Sequence, residues 1–177
     1  MVRSPHILMC PPDYYGIHYE INPWMDRRRP VDHDLAVQQW NALRTILEDV
    51  GATVSTLPPQ SGTPDHVFTP NAALIFHRRA ILSNFRHPQR QPERCINEQW
   101  LADAGFEVEH LPDGMAFEGA GDALFCGDTL LAGYHIRSDA AGQQRVGEML
   151  GRRVIPMPLI DDYFYHLDTC FCPVSLQ

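Results

Sequence analysis

The sequence has 177 residues, 44% of them apolar and 20% charged, which allows one domain with a sizeable core and argues against two domains or a disordered chain. The formal net charge of -8 argues against a nucleic-acid partner. An odd number of cysteines, no apolar run of about 18 residues and no signal-like start predict a cytoplasmic protein with no disulfide framework and no membrane partner.

The first third of the chain predicts a strand, a loop, a helix and a second strand. The strand covers residues 6–10 and stops at two prolines, and the loop over 11–33 is long enough to suggest that it serves a site. Apolar residues then recur at helical spacing from Asp34, the predicted N-cap, to Gly51, the predicted stop. Residues 52–57 alternate like a strand.

The remainder of the chain predicts two further helices and several short strands. The helices cover about 92–104 and 140–150, and each ends at a glycine. The predicted strands are 72–76, 79–83, 106–110, 122–126, 129–134, 153–156 and 164–172. The first two of these strands form a predicted hairpin.

The order of elements repeats three times around Gly51, Gly105 and Gly151, at spacings of 54 and 46 residues. Each copy reads β-β-α-β in circular order, which predicts a mixed α/β protein whose helices cover the strands from outside. We see no linker, so residues 1–177 are interpreted as one domain. No G-x-G-x-x-G motif opens a helix, which argues against a dinucleotide-binding fold.

A histidine and a carboxylate lie two positions apart in the last predicted strand, 164–172. On a strand His166, Asp168, Cys170 and Cys172 would share one face, and the carboxylate could orient the histidine for general acid/base work. The alternative is a strand whose polar side chains contribute to structure and have no part in catalysis. A metal site is disfavoured, because alternate strand residues lie about 6.6 Å apart and at most two could reach one ion.

Two carboxylates, Glu118 and Asp122, flank a run of small residues that includes Gly119 and Gly121. Such a pair can hold a cation, including a planar guanidinium, while the glycines allow close approach of the backbone. The equal alternative is a solvated loop with turns at the glycines. Asn71 occupies the matching place in the first copy and offers both a donor and an acceptor.

Arginines and an aromatic loop add candidate binding groups. Arg90 and Arg137 follow strands of successive copies and could clamp a substrate carboxylate, although surface charge is the simpler interpretation of each alone. The loop 19–25, with Asn22 and Trp24, suggests a lid or pocket wall, or a segment that packs Trp24 for stability.

No complete nucleophile apparatus is visible among the cysteines. Cys10 and Cys126 lie in apolar strands and are expected to pack as small apolar residues, and Cys95 lies on the second helix. Cys170 and Cys172 share the predicted strand of the histidine, where a thiol is poorly placed to exchange a proton with it.

Five ordered segments resemble the amidinotransferase/dimethylarginine dimethylaminohydrolase group of the pentein superfamily, and in particular its arginine dihydrolase branch. They are MCPPDYYGIHYEINPWM, PDHVFTPNAALI, FRHPQRQPE, FEGAGDALF and FYHLDTCFCP. The resemblance implies a propeller of β-β-α-β modules about a pseudo-fivefold axis, with the site in the central channel. This chain would supply about three modules and part of a fourth.

The resemblance also implies an activity, namely hydrolysis of C–N bonds in arginine or a related guanidine, with no cofactor and no metal. A cysteine thiolate would attack the guanidinium carbon, and water would resolve the thiouronium intermediate. The implied catalytic residues are Glu118, which holds the guanidinium, His166, the general acid/base, and Asp168, a second carboxylate. The implied substrate-binding residues are Asn22, Phe68, Asn71, Arg90, Asp122 and Arg137.

Asn71 resembles the amide that lets the dihydrolase branch remove a second ammonia. The chain departs from the family pattern at His135, where a glycine is expected, and at Pro70, where a small residue is usual. The family nucleophile falls beyond residue 177, so we expect this chain to lack it. The alternative function is an inactive module that binds arginine-like cations or self-associates, and exposed module edges favour a homo-oligomer.

Overall fold

A computed structural model describes residues 4–174, which form a mixed α/β structure. The chain divides into two compact units. The first comprises residues 4–20 and Met25–Thr69, and the second comprises Ile21–Trp24 and residues 70–174.

The first unit contains two parallel strands and the longest described helix. Strand β1 (His6–Met9) pairs with β2 (Thr53–Thr56), and α1 (His33–Asp49) connects them. Asp32 caps this helix, because its carboxylate accepts a hydrogen bond of 3.0 Å from the amide of Leu35. The predicted cap at Asp34 is therefore wrong, since that residue lies inside the first turn.

The second unit begins with a three-stranded sheet that follows the predicted hairpin. Strands β3 (Ala73–Phe76) and β4 (Arg79–Leu82) are antiparallel, and β5 (Glu107–Glu109) runs parallel to β4 after helix α2 (Glu93–Asp103). His77 takes a φ of 56° at the hairpin turn. The order of a hairpin, a helix and a parallel strand is the predicted module.

A second sheet of the same kind follows along the chain. Strands β6 (Ala123–Cys126) and β7 (Thr129–Tyr134) are antiparallel, and β8 (Arg153–Pro158) runs parallel to β7 after α3 (Ala140–Leu150). Gly151 ends α3 in the left-handed conformation, as its place in the sequence predicts.

The second unit has a hydrophobic core that joins its two sheets. Its buried members are Leu74, Ile81, Leu111, Phe117, Ala123, Leu130, Val146 and Leu150. Phe117 is fully buried, and its backbone pairs with that of Asn84 through two hydrogen bonds of 2.8 and 3.0 Å. This anchor fixes the segment that follows, which carries Glu118.

The described helices differ in how many of their side chains are buried. Helix α3 buries Val146 and Leu150, whereas α1 buries no residue and leaves Leu43, Ile46 and Val50 exposed. Within residues 4–174 no helix is long and apolar enough to cross a membrane.

The predicted strand over 164–172 is wrong. Two short 3-10 helices, Asp162–Phe164 and Leu167–Thr169, occupy this segment. Side chains take the backbone hydrogen bonds that a strand would use: the Asp161 carboxylate accepts from the amide of Tyr163 at 3.0 Å, and the Thr169 hydroxyl donates to the carbonyl of His166 at 2.6 Å. His166, Asp168 and the two cysteines after them therefore do not share a strand face.

Candidate functional site

Short turns bring three predicted site residues together in the second unit. Asn71 ends one 3-10 turn, Glu118 precedes the turn Gly119–Gly121, and His166 precedes another. A side chain at position 121 would overlap the amide nitrogen of Asn71, and one at 119 would lie 2.7 Å from the carbonyl of Pro70. The glycines are thus needed for close approach, as the sequence predicted.

His166 lies between two carboxylates that come from the same short segment. Its Nδ1 is 3.1 Å from Oδ1 of Asp122, and its Nε2 is 3.3 Å from Oε2 of Glu118. All three side chains are buried. Burial by itself would lower the pKa of His166, but hydrogen bonding with Asp122 and Glu118 outweighs it and raises that pKa to about 9. The histidine is therefore an imidazolium near neutral pH.

Glu118 is a buried carboxylate that already binds a guanidinium, that of Arg137. Its Oε2 lies 3.1 Å from Nη1 of Arg137, and its Oε1 accepts from the amide of Arg86 at 3.2 Å. Burial would raise the pKa of Glu118, but His166 and Arg137 lower it to about 2. The proposal that this carboxylate is solvated is wrong, because its exposed fraction is 0%.

Asp122 is oriented by groups that the sequence did not single out. The hydroxyl of Ser138 donates to its Oδ2 at 2.6 Å, and the amide of Leu167 donates to its Oδ1 at 3.1 Å. The same hydroxyl accepts from the backbone amide of Glu118 at 3.0 Å, so Ser138 links the carboxylate of Asp122 to the backbone of Glu118. Gln143 of α3 donates to the carbonyl of Asp122 at 3.1 Å.

Arg90 and Arg137 are both buried, so the interpretation of either as surface charge is wrong. Arg137 contacts Glu118 and donates from Nη2 to the carbonyl of Ile21 at 2.9 Å, while its guanidinium lies over the ring of Tyr165. Arg90 donates to Asn71 and to Glu93, an acidic residue that sequence reasoning missed. The spacing of Arg90 and Glu93, three residues apart at the start of a predicted helix, could have indicated this ion pair.

Asp168 is exposed, unlike the two carboxylates that flank His166. Partial burial raises the pKa of Asp168, His166 lowers it and the charge of Asp122 raises it, so that the resulting pKa is about 6. The carboxylates that orient the histidine are therefore Glu118 and Asp122, and the assignment of that function to Asp168 from strand spacing is wrong.

The two remaining predicted binding residues lie in loops. Asn22 accepts from the amide of Trp24 at 2.9 Å within the second unit, and the indole of Trp24 donates to the carbonyl of Tyr163. Phe68 belongs to the first unit, where its half-exposed ring meets Tyr15 edge-on at 6.1 Å between centroids.

The cysteines lie in varied surroundings, and each is a free thiol. Cys170 contacts the carbonyl of Leu167 at 3.5 Å and Cys172 that of Pro173 at 3.9 Å, and both are exposed. Among residues 4–174 no group of three or more His, Cys, Asp or Glu side chains is arranged to hold a metal ion.

The chain shares sequence with known proteins over almost its whole length. A scan against models of protein families finds no match. The bifunctional arginine dihydrolase/ornithine cyclodeaminase ArgZ of Synechocystis is 44% identical over 99% of this chain and 25% of that protein. The N(G),N(G)-dimethylarginine dimethylaminohydrolase of Mycobacterium tuberculosis is 36% identical over 94% of this chain and 55% of that protein.

Comparison with a solved structure shows that the fold is also similar. The binary complex of an AgrE mutant with L-arginine superposes with a TM-score of 0.94 at 43% identity, over 97% of this chain and 26% of that one. The chain thus spans about a quarter of the bifunctional relatives and about half of the mycobacterial one. The chain is a relative of the arginine dihydrolase branch of the amidinotransferase/dimethylarginine dimethylaminohydrolase group, within the pentein superfamily.

Proposed function

We propose that this chain binds the guanidinium group of arginine or a related compound, as part of a hydrolase that acts on C–N bonds. The observation that carries the proposal is the buried cluster in which Glu118 and Asp122 flank His166 while Glu118 pairs with a guanidinium. The carboxylates of this site already bind the guanidinium of Arg137 and the imidazolium of His166. The same groups can bind the guanidinium of a ligand.

In this proposal each residue has a distinct task. Glu118 is anionic and receives the substrate guanidinium, and His166 donates a proton to the departing ammonia and then takes one from water. Asp168 is a second carboxylate near the substrate. The residues proposed to position the substrate are Asn22, Phe68, Asn71, Arg90, Asp122 and Arg137. Asn71 in this place favours the reaction in which arginine and two water molecules give ornithine, two ammonia molecules and carbon dioxide.

The nucleophile is proposed to be a cysteine from a part of the relatives that this chain does not span. Its thiolate adds to the guanidinium carbon, ammonia leaves after protonation by His166, and water displaces sulfur from the thiouronium. The contacts of Cys170 and Cys172 to backbone carbonyls give neither thiol a base. The alternative function is a module that binds arginine-like cations without catalysing the reaction.

Calorimetry with L-arginine tests the binding proposal. Wild-type chain is expected to bind arginine, and Glu118→Gln is expected to weaken binding by about tenfold or more, because a charged hydrogen bond to the ligand is lost. Glu109→Gln removes a carboxylate that pairs with Arg79 and is expected to leave the affinity unchanged. Equal affinity of wild-type and Glu118→Gln would refute the assigned task. Ammonia release from arginine is expected only when a nucleophile is supplied.

We also propose that the sheets are modules of a propeller. Support comes from the repeat: β3–β4–β5 and β6–β7–β8 each join a hairpin to a parallel strand, whereas β1 and β2 form a parallel pair with no further strand among residues 4–174. The five free thiols favour the reducing cytoplasm as its location.

A further inference from the structure

Glu93 has no task in the proposed reaction, yet it is an acidic side chain with an exposed fraction of 1% at the first residue of α2. Its two carboxylate oxygens accept from Arg90, Oε1 from Nε at 2.8 Å and Oε2 from Nη2 at 2.7 Å. A buried carboxylate with this fork–fork geometry holds its arginine in one orientation.

The held arginine in turn contacts Asn71. Nη1 of Arg90 donates to Oδ1 of Asn71 at 2.9 Å. On the other side of the amide, Nδ2 of Asn71 donates to the carbonyl of Glu118 at 3.2 Å. A guanidinium can only donate and a carbonyl can only accept, so both neighbours require the same orientation of the amide.

This orientation has a consequence for the histidine. It places Nδ2 of Asn71 at 3.4 Å from Nε2 of His166, the nitrogen that also faces Glu118 at 3.3 Å. An amide N–H beside Nε2 favours an unprotonated nitrogen, whereas the Glu118 carboxylate favours a protonated one. The direction of the Asn71 amide therefore affects the proton that the site must move.

Arg90 is confined on a second side as well. Its guanidinium carbon lies 4.5 Å from the centroid of the Phe85 ring, and that ring is 2% exposed. A lysine could keep the charge, but its single nitrogen cannot replace the three nitrogens of the planar guanidinium that contact Glu93 and Asn71.

We propose that Glu93 is a positioning residue: by holding Arg90 it fixes the amide of Asn71 with its N–H groups toward Glu118 and His166. The proposal rests on the function proposed above for this site. It gives Arg90 a task within the protein, namely orienting Asn71, in addition to the substrate contact proposed above.

The chain offers a matched control in a second Arg–Glu pair of the same unit. Arg79 on β4 donates through Nε and Nη2 to both oxygens of Glu109 on β5, and Nη2 also donates to the carbonyl of Met149. The two pairs share their chemistry, but the contacts of this one lie on the sheet and on the last turn of α3.

The test compares Glu93→Gln and Arg90→Lys with Glu109→Gln and Arg79→Lys. The first readout is the pair of side-chain NH₂ signals of Asn71 in a ¹⁵N–¹H spectrum, assigned by their loss in Asn71→Ser. The second is the affinity for L-arginine by calorimetry. Glu93→Gln and Arg90→Lys are expected to shift or broaden the Asn71 signals and weaken arginine binding about tenfold or more. The two control variants are expected to leave both unchanged.

Unchanged Asn71 signals in folded Glu93→Gln would overturn the proposal, as would equal changes in Glu109→Gln. Glu93→Asp, which keeps the charge but is too short for the two-point contact, replaces Glu93→Gln if that variant does not fold. If wild-type chain fails to bind arginine, the proposed function is wrong, while the Asn71 signals still decide the task of Glu93.

Discussion

The charges around His166 balance at the level of single residues. Glu118 and Asp122 face His166 and Arg137, and Glu93 faces Arg90, so the buried cluster is neutral when the histidine is protonated. A guanidinium ligand brings one more positive charge. Binding is therefore expected to lower the pKa of His166, which would help this residue to give its proton to the departing ammonia.

The pKa of His166 sets a pH dependence of stability that can be measured. The groups that face it are Glu118, Asp122 and Asp168. Because its pKa is raised in the folded state from 6.5 to about 9, the stabilisation is fully present below 6.5 and is lost as the pH rises through about 9. We expect the free energy of unfolding in urea to fall over this range by an amount on the order of a few kcal/mol.

A variant without the titrating ring is the control for this pH dependence. His166→Asn is expected to be less stable than wild type below the unfolded-state pKa of 6.5 and to lose little further stability up to about 9. Parallel pH profiles of wild type and His166→Asn would contradict the interpretation, because some other group would then cause the loss. Glu118 titrates far below this range, since its pKa is lowered to about 2.

At the scale of elements, local signals predicted the helices and most strands. The glycines at 51, 105 and 151 follow the ends of the helices because each takes a positive φ, which the residue type itself signals. The prediction of a strand over 164–172 is wrong, because the side chains of Asp161 and Thr169 hydrogen-bond to nearby backbone groups. The alternation of polar and apolar residues does not reveal these bonds.

The candidate site likewise contains residues that sequence motifs predict and residues that only the structure identifies. Glu118, Asp122 and Asn71 stand in motifs that are visible in the sequence. Ser138 and Gln143, in contrast, act through contacts that only the folded chain creates. The burial of Arg90 and Arg137 depends likewise on partners that lie apart from them in sequence or on another element. The residues next to Arg90 and Arg137 in the sequence do not indicate that these side chains are buried.

The connection between β7 and α3 contains a strained residue. His135 is exposed and adopts a φ of 104°, which favours glycine, and the resemblance expects a glycine at this position. We expect His135→Gly to stabilise the chain by roughly 1 kcal/mol, because relief of backbone strain exceeds the added entropy of the unfolded chain. Urea unfolding measures the difference.

His77 provides the comparison for that substitution. It is also exposed and also has a positive φ, 56°, but this value lies in the ordinary left-handed region and the ring contacts Phe76. His77→Gly is therefore expected to gain less stability than His135→Gly. A His135→Gly variant that is less stable than wild type would show that the backbone there carries no strain.

At the scale of the whole molecule, the first unit leaves apolar surface uncovered. Leu35, Leu43, Ile46 and Val50 recur at helical spacing along α1 and are 44% to 74% exposed, while β1 pairs only with β2 among the described strands. This apolar stripe along α1 and the edge of β1 that pairs with no described strand both favour association between copies. We therefore propose that the chain is a homo-oligomer.

Sedimentation at several micromolar concentrations tests that proposal. The wild-type chain is expected to show a mass above that of one chain of 20.1 kDa, and the excess should grow with concentration. Ile46→Glu places a charge in the middle of the α1 stripe and should shift the chain toward the monomer. Ile160→Glu, at a position that is 90% exposed in the second unit, should not. A wild-type chain that stays monomeric throughout would mean that the α1 stripe does not drive association.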